Sequence, residues 1–299
     1  MAPRPPASPL VPFSVAVAGI ALFSAMDAVM KGLSLSIGAY NALLWRTLAG
    51  GLFGGAVFVL RRMKWPAWPA MRVHLVRGIL SVFMAITFFW GLARVPLAQG
   101  VALSFIAPLI ALYLAALLLH EQIQRRAIFA SALGLAGVAT ILSGQAEAHL
   151  GHEAMLGSIS ILVSASLYAF NIILMRKQAQ LAGPVEIAFF MSALMSLGFL
   201  AAAPWFAEIP APRHLPAIAA AAALAFASLM LLSWAYARAE AQHLAPVEYT
   251  SFVWAALFGL IFFQEPVRPL TLLGAAMIVG ACLVAARSKA HVADVEAAI

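Results

Sequence analysis

The chain has 299 residues, of which 64% are hydrophobic and only 10% are charged. A soluble globular domain carries about 25% charged residues, so this chain has too few charges to cover a water-facing surface of its size. The single cysteine, Cys282, excludes an internal disulfide and a cysteine-ligated metal site. The formal net charge of +7 is better explained by basic loops on one side of a membrane than by binding of nucleic acid.

Apolar runs separated by short polar breaks predict ten membrane-spanning helices. A bilayer core needs about 20 apolar residues per helical span, and these runs are too long for the alternating strands of a membrane barrel. In chain order, spans 1 to 10 are predicted at 11–31, 39–60, 72–93, 97–119, 126–143, 155–176, 184–206, 214–237, 244–263 and 268–287. Residues 1–10 are interpreted as a disordered lead and residues 289–299 as a cytoplasmic tail.

The distribution of lysine and arginine predicts the orientation of the chain. If the N-terminus is cytoplasmic, 13 Lys and Arg residues lie on the cytoplasmic side and 5 lie on the other side. Because basic residues accumulate in cytoplasmic loops, both termini are expected inside. Two termini on one side also require an even number of spans.

An internal repeat divides the chain into two halves. The segment Trp90–Arg94 resembles Trp234–Arg238, and His120–Glu121 resembles Gln264–Glu265, in both cases at an offset of 144 residues. The predicted halves are 11–147 and 152–288, with five spans each. Since five is odd, the second half would enter the membrane from the opposite side, which is the inverted repeat of many secondary transporters.

This arrangement resembles the drug/metabolite transporter superfamily, in the group with two EamA-type domains. The features that carry the resemblance are Asp27 and Lys31 in span 1, Arg46 in span 2, Pro108 and Glu121 in span 4, and Glu265, Gly274 and Gly280 in the second half. The second half lacks counterparts of Lys31 and Arg46, and it has Phe252 in place of Pro108. The resemblance implies a metabolite exporter of a bacterial inner membrane, with amino-acid exporters, including YddG-like exporters of aromatic amino acids, as the best represented kind.

Charged residues within the spans are candidates for a gate or an ion pair, because a charge inside a bilayer needs a partner or a cavity. Asp27 and Lys31 are four residues apart on one helical face and can pair, and Arg46 lies near the same end of span 2. Glu248, near the start of span 9, is a further candidate. The set is either a polar gate that contacts a substrate carboxylate or a structural ion network. A protonated Asp27 would make the proton a candidate coupling ion.

Polar residues on span 6 indicate either a cavity or hydrogen bonds between helices. Ser164, Tyr168 and Asn171 share one helical face because their spacings are four and three, and such groups are costly when they face lipid. Span 4 adds Ser104 as a cavity candidate, together with Pro108. Pro108 is a candidate hinge because proline frees a backbone carbonyl and can kink its helix. The remaining predicted cavity residues are Trp90, Trp234, Tyr249, Ser251 and Trp254.

These observations predict an all-α integral membrane transporter that exports amino acids or related small metabolites by alternating access. Two alternatives stay open: an intramembrane lipid-modifying enzyme, which needs clustered acid and base groups, and a channel, which needs a continuous polar pore. No phosphate-binding loop or metal-ligand spacing is present, so no cofactor is expected. The glycines of span 2, Gly50, Gly51, Gly54 and Gly55, allow close helix packing within one chain or in a weak homodimer.

Overall fold

The structure is a computed structural model that describes residues 10–119, 125–147, 151–236 and 247–288. These residues form helices and turns, with no strand among them. The helices are α1 (Leu10–Leu60), α2 (Trp68–Leu92), α3 (Leu97–Ser104), α4 (Ala107–Leu119), α5 (Arg125–Glu147), α6 (Gly151–Leu181), α7 (Pro184–Ala201), α8 (Ala203–Phe206), α9 (Leu215–Tyr236), α10 (Thr250–Phe263) and α11 (Pro269–Ser288), with a 3₁₀ turn at Pro212–His214.

Helical segments coincide with all ten predicted spans within the described residues. Five described helices are long and apolar enough to cross a membrane, and shorter apolar helices lie at 97–111, 128–144, 250–263 and 269–284. The all-α integral membrane fold is therefore confirmed, whereas the count of ten crossings stays a prediction. The lead at residues 1–9, the tail at 289–299, Glu121 and the Ala237–Arg238 part of the repeat lie outside the described residues.

Spans 1 and 2 form a single element, α1, that is kinked at Gly38. The backbone angles there are φ 80° and ψ 150°, a region that is essentially restricted to glycine. The first arm of α1 covers residues 10–37 and the second arm covers 39–60. The sequence placed the end of span 1 at residue 31, but the helix continues to 37. Asp27 and Lys31 therefore lie within a helix and not at its exit.

Replacing Gly38 by alanine is expected to lower the free energy of unfolding by about 1–3 kcal/mol. A Cβ at this position meets no atom within 4 Å, so the cost comes from the strained backbone alone. Gly32→Ala is the matched control, because Gly32 is helical and its Cβ would lie 4.0 Å from the nearest atom, in Phe263. Thermal unfolding in detergent measures both variants, and equal stability of the two would contradict a backbone requirement at Gly38.

Span 4 is broken into α3 and α4 at Phe105 and Ile106. The amides of Phe105 and Ile106 donate to the carbonyls of Ala102 and Leu103, at 3.2 and 3.3 Å, which tightens the end of α3. Pro108 follows as the second residue of α4 and has no N–H to donate backwards, so a continuous helix would lose a hydrogen bond at this point. The predicted hinge residue thus lies directly after an interruption of its span.

An equivalent interruption occurs in the second half, at Tyr249. This residue is a turn just before α10, and the amide of Phe252 donates to its carbonyl at 3.2 Å. Phe105 and Tyr249 are separated by the repeat offset of 144 residues, and their rings form an edge-on contact with centroids 5.3 Å apart. The two helix breaks therefore meet each other at the interface of the two halves.

Helix packing follows the internal repeat. The first arm of α1 packs on α9, and its repeat counterpart α6 packs in the same way on α2, the counterpart of α9. Likewise, the first arm of α1 contacts α10, and α6 contacts α4, the counterpart of α10. Two further contacts join corresponding helices of the two halves, namely α5 with α11 and the second arm of α1 with α7. This pattern is unchanged when the two halves are exchanged, as expected for two copies of one five-helix unit.

Candidate functional site

A buried lysine ties the two halves together at the C-terminal end of α2. The Lys31 ammonium donates to Glu265 Oε1 at 2.5 Å and to the Val95 carbonyl at 2.6 Å. Glu265 Oε2 accepts the N–H of Leu97 at 2.8 Å. Lys31 is only 2% exposed. We call Lys31, Glu265, Val95 and Leu97 the Lys31 clamp; it joins the first arm of α1, the α2–α3 connection and the α10–α11 connection.

The end of α10 explains why Glu265 reaches Lys31. Gln264 adopts a left-handed conformation (φ 55°, ψ 35°) that terminates the helix. The Gln264 N–H donates to the Leu260 carbonyl at 3.2 Å, as in the αL motif, and the Glu265 N–H donates to the Gly259 carbonyl at 3.1 Å. This turn brings the Glu265 side chain back toward the helix end, and the ring of Phe263 lies 5.1 Å from the Lys31 ammonium.

Asp27 lies on the first arm of α1 and Arg46 lies on the second arm. Asp27 is 6% exposed, and the two side chains attract each other. Lys31 pairs with Glu265, so within the described part of the chain Asp27 forms no ion pair with it. The predicted gating residues are thus divided, with Lys31 joining the two halves and Asp27 and Arg46 interacting within α1.

A second polar cluster lies at the N-terminal end of α2. His74 is fully buried and stacks on Phe190, with ring centroids 5.0 Å apart. Its Nε2 is 3.0 Å from Glu186 Oε1, and its Nδ1 is 2.6 Å from Gln178 Nε2. The cluster therefore connects α2 of the first half to α6 and α7 of the second half.

Arg77 extends this cluster toward the middle of α2. Its Nε donates to Asn171 Oδ1 at 2.9 Å, and its Nη1 donates to Gln178 Oε1. Asn171 also places its amide nitrogen 3.9 Å from the Met84 sulfur. We call His74, Arg77, Asn171, Gln178 and Glu186 the His74 network. The sequence placed Arg77 near the start of predicted span 3 and counted it among the basic residues of the cytoplasmic side; the structure places it inside α2 and half-buried.

The predicted stripe on span 6 faces α2. Ser164 Oγ donates to the Met84 carbonyl at 2.8 Å, so this hydroxyl makes a hydrogen bond between helices. Asn171 contacts Arg77, and the same face continues to Gln178. Tyr168 lies between Ser164 and Asn171 on the stripe, and it packs against the same buried hydrophobic cluster as Tyr249 and Phe252. The stripe therefore extends from the His74 network toward the start of α10.

Two predicted cavity serines bond to their own helices. Ser104 Oγ donates to the Gly100 carbonyl at 3.0 Å, and Ser251 Oγ donates to the Glu248 carbonyl at 2.6 Å. Ser104 directly precedes the break at Phe105, and Ser251 follows the break at Tyr249 by two residues. Their roles as cavity residues stay predictions.

The predicted tryptophans have different surroundings. The Arg94 guanidinium lies 3.5 Å above the Trp90 ring and pairs with Glu153 at 2.8 Å. Trp234, the repeat counterpart of Trp90, is 37% exposed. Trp254 stacks on Phe258 with centroids 6.2 Å apart, and its buried indole N–H has no hydrogen-bond partner within the described residues. A common cavity for these three rings stays a prediction.

The glycines of span 2 pack within the chain. A Cβ at Gly54 would lie 3.1 Å from the Phe189 Cα, and one at Gly50 would lie 3.1 Å from Ser192 Oγ. The second arm of α1 therefore uses these glycines to approach α7, while a homodimer stays a prediction. A groove of about 720 Å³ runs beside this contact, and its lining includes Gly51, Gly55, Phe58, Arg62 and Phe189. None of the predicted cavity residues lines it.

Comparison with known proteins identifies the class of the chain. The EamA-like transporter family matches it twice, at residues 12–143 and 155–287. The chain belongs to the EamA-like transporter family. These two matches coincide with the two halves found in the sequence, and the family consists of transporters and not of enzymes. Within the described residues, no group of three or more His, Cys, Asp or Glu side chains is placed to hold a metal.

Several relatives with assigned functions carry small metabolites. The chain is 26% identical over 272 residues to the pseudopaline exporter CntI of Pseudomonas aeruginosa, covering 89% of this chain and 93% of that protein. It is 28% identical over 283 residues to a riboflavin transporter of Rhizobium johnstonii, covering 91% and 89%. It is 26% identical over 211 residues to an S-adenosylmethionine uptake transporter of Rickettsia bellii, covering 71% of each protein.

A solved crystal structure shares the fold. It superposes with a TM-score of 0.61 at 20% identity and covers 93% of this chain and 98% of its own chain. The EamA-like relatives include both exporters and uptake transporters, so family membership establishes a multi-pass membrane transporter of small molecules but neither the substrate nor the direction.

Proposed function

We propose that this chain is a secondary transporter that exports amino acids or related small metabolites across a bacterial inner membrane by alternating access. The observation that carries this proposal is the pair of polar contacts at opposite ends of α2. The Lys31 clamp joins the first half to the second half at one end, and the His74 network does so at the other end. Alternating access requires two such closures, because each side must open while the other stays shut.

The broken helices support a binding site between these two closures. Substrate sites of transporters with repeated halves typically lie where spanning helices are interrupted, near the middle of the membrane. Here the break before α4 and the break before α10 meet through Phe105 and Tyr249. With both termini in the cytoplasm, as proposed from the basic residues, the Lys31 clamp would face the periplasm and the His74 network would face the cytoplasm.

Transport assays in proteoliposomes test this function. We expect saturable counterflow of labelled amino acids by the wild-type chain, and a loss of about tenfold or more in Asn171→Ala, because a hydrogen bond to a charged group is worth about 1.5–3 kcal/mol. Trp90→Ala is also expected to reduce uptake if its ring faces the substrate. Trp205→Ala, whose side chain is 75% exposed, is the control and is expected to transport normally.

The other possible results of this assay distinguish a transporter from a channel and from an enzyme. Large flux without saturation would indicate a channel, and chemical conversion of a lipid or solute would indicate an enzyme. Absence of counterflow for every amino acid and metabolite in the panel would contradict the proposed function. Normal counterflow in both Asn171→Ala and Trp90→Ala would contradict the cavity assignment while leaving transport intact.

A further inference from the structure

Arg77 is a charged group in a spanning helix whose hydrogen-bond partners are neutral. Its Nε and Nη1 donate to the amide oxygens of Asn171 and Gln178. Ion pairs between described residues join Lys31 to Glu265 and Arg94 to Glu153, and Glu186 contacts His74; none of these contacts includes Arg77. Because guanidinium stays protonated in proteins and an unpaired charge inside a membrane is costly, this arrangement points to an anionic ligand.

The amides that hold Arg77 are themselves fixed in orientation. The amide nitrogen of Gln178 donates a hydrogen bond to His74 Nδ1 at 2.6 Å. The amide oxygen of Gln178 is therefore the atom that accepts from Arg77. The acid at the end of this chain, Glu186, contacts the opposite nitrogen of His74 at 3.0 Å. The negative charge of Glu186 is therefore directed at His74, and the network orients the guanidinium without an acid in contact with it.

One edge of the guanidinium is available to a ligand. Arginine carries five N–H donors, and the two hydrogen bonds to amides use Nε and one N–H of Nη1. Within the described ranges Nη2 has no hydrogen-bond partner, and no nitrogen of Arg77 is among the buried atoms that lack one. The Nη1 and Nη2 donors of this edge match the two oxygens of a carboxylate, which arginine binds through two parallel hydrogen bonds.

Tyr168 connects the surroundings of Arg77 to the helix break at Tyr249. It is one turn from Asn171 on α6, and it packs against the same buried hydrophobic cluster as Tyr249. Glu248 precedes the helix break at Tyr249, where the two halves meet. The polar stripe of α6 that contacts Arg77 therefore continues toward the helix break between the halves, where the proposed binding site lies.

We infer that Arg77 binds the carboxylate of the transported metabolite, so that the substrate class is small metabolites with a free carboxylate, amino acids among them. This inference rests on the proposed transport function and deepens it. It predicts preference for an amino acid over its carboxamide, which has the same side chain and amine but a neutral group in place of the carboxylate. A purely structural Arg77, which only joins α2 to α6, would give no such preference.

Ligand-dependent thermal stability of the purified chain in detergent tests the inference. The probes are L-leucine, L-methionine and L-phenylalanine, each compared with its own carboxamide. We expect the acids to stabilise the wild-type chain and the amides to do so at least about tenfold more weakly, because a hydrogen bond to a charged group is worth about 1.5–3 kcal/mol. Arg77→Gln is expected to lose this preference, and Arg77→Lys to keep it in weakened form, since lysine retains the charge but not the fork of donors.

Arg72→Gln is the matched control, because Arg72 is an exposed arginine of the same helix; it is expected to discriminate as the wild type does. The inference is overturned if no acid stabilises the wild type, if acids and amides stabilise it equally, or if Arg77→Gln keeps the preference. If Arg77→Gln does not fold, a full preference in Arg77→Lys overturns the inference and a weakened preference supports it. Counterflow of the same probes separates the two proposals: acids that bind but are not transported would contradict the transport function and leave the Arg77 site standing.

Discussion

Glu265→Gln is expected to destabilise the protein more than Lys31→Met, although both replacements break the same ion pair. The side chain of Lys31 is only 3% exposed, whereas that of Glu265 is 22% exposed. Without the carboxylate, the buried ammonium has no negative partner, and the single amide oxygen of glutamine can accept from either the ammonium or the Leu97 N–H but no longer serves both as the two carboxylate oxygens do. Without the ammonium, Glu265 still accepts the Leu97 N–H and retains contact with water. Breaking a buried pair by removing one partner costs about 3–5 kcal/mol, and we expect Glu265→Gln to fall in this range.

Unfolding of the single and double variants in detergent measures this difference. The double variant Lys31→Met with Glu265→Gln is expected to be more stable than Glu265→Gln alone, because it leaves no buried charge. Glu153→Gln is the control: it breaks the Arg94–Glu153 pair, whose side chains are 29% and 70% exposed, and exposed pairs contribute about 0–1 kcal/mol. Equal losses in Glu265→Gln and Glu153→Gln would show that burial of Lys31 does not set the cost.

The Glu265→Gln variant is also expected to change the conformation of the protein. Because the Lys31 clamp joins the two halves, its loss is expected to shift the population toward the state that is open at this end of α2. Gln99 is 2% exposed and lines a small recess together with Glu265. A Gln99→Cys probe in a Cys282→Ala background should react with a membrane-impermeant maleimide about tenfold faster or more when Glu265→Gln is added, since each 1.4 kcal/mol changes a population ratio about tenfold. An unchanged labelling rate would mean that the clamp stabilises the fold without acting as a gate.

The apolar runs predicted the helices because hydrophobic length depends on local sequence alone. Which charged side chains pair, by contrast, does not depend on local sequence alone. Asp27 is four residues from Lys31 and is its nearest predicted partner, yet Lys31 pairs with Glu265, which is 234 residues away. That choice depends on the turn at Gln264, on the approach of α10 to α1 and on the kink at Gly38, none of which periodicity reveals.

The polar stripe on span 6 was predicted from spacing, but its partner was not. Spacing identifies which side chains share a face, and Ser164, Tyr168 and Asn171 do share one. Arg77, the residue that this stripe contacts, was counted only as a basic residue of the cytoplasmic side, because an arginine near the end of an apolar run satisfies the positive-inside rule. Its amide partners are 94 and 101 residues away in the chain, so only the packing of α2 on α6 brings them together.

Gly91→Ala is expected to be among the most damaging single-atom additions to the interface between the halves. A Cβ at Gly91 would lie 2.5 Å from the Gly157 carbonyl oxygen and 2.7 Å from the Ile161 side chain. The first obstacle is backbone, which cannot rotate away, so α2 and α6 must separate. Overpacking of this kind costs about 1–3 kcal/mol, and Gly91→Leu should prevent assembly of the folded chain altogether.

Gly137→Ala and Gly280→Ala provide a matched comparison at the α5–α11 contact. A Cβ at Gly137 would lie 2.7 Å from the Gly274 carbonyl oxygen, whereas one at Gly280 meets no atom within 4 Å. At the repeat offset of 144 residues, Gly137 corresponds to Ala281, the neighbour of Gly280, so sequence equivalence alone predicts similar effects. The structure predicts opposite signs: Gly137→Ala should destabilise, and Gly280→Ala should stabilise by about 0.8–1 kcal/mol, the difference in helix propensity between glycine and alanine.

Unfolding in detergent of Gly91→Ala, Gly137→Ala and Gly280→Ala tests the role of these glycines. It shows whether close helix packing or helix propensity dominates their effect on stability. Stabilisation in all three variants would mean that the helices of the two halves can separate at no cost, and the halves would then not be held by close glycine contacts. Loss of stability at Gly91 and Gly137 together with a gain at Gly280 would locate the tight contacts at two crossings that both join the first half to the second. A transporter that moves its halves against each other must slide or tilt at such crossings, so these two variants are also expected to slow transport more than their stability alone explains.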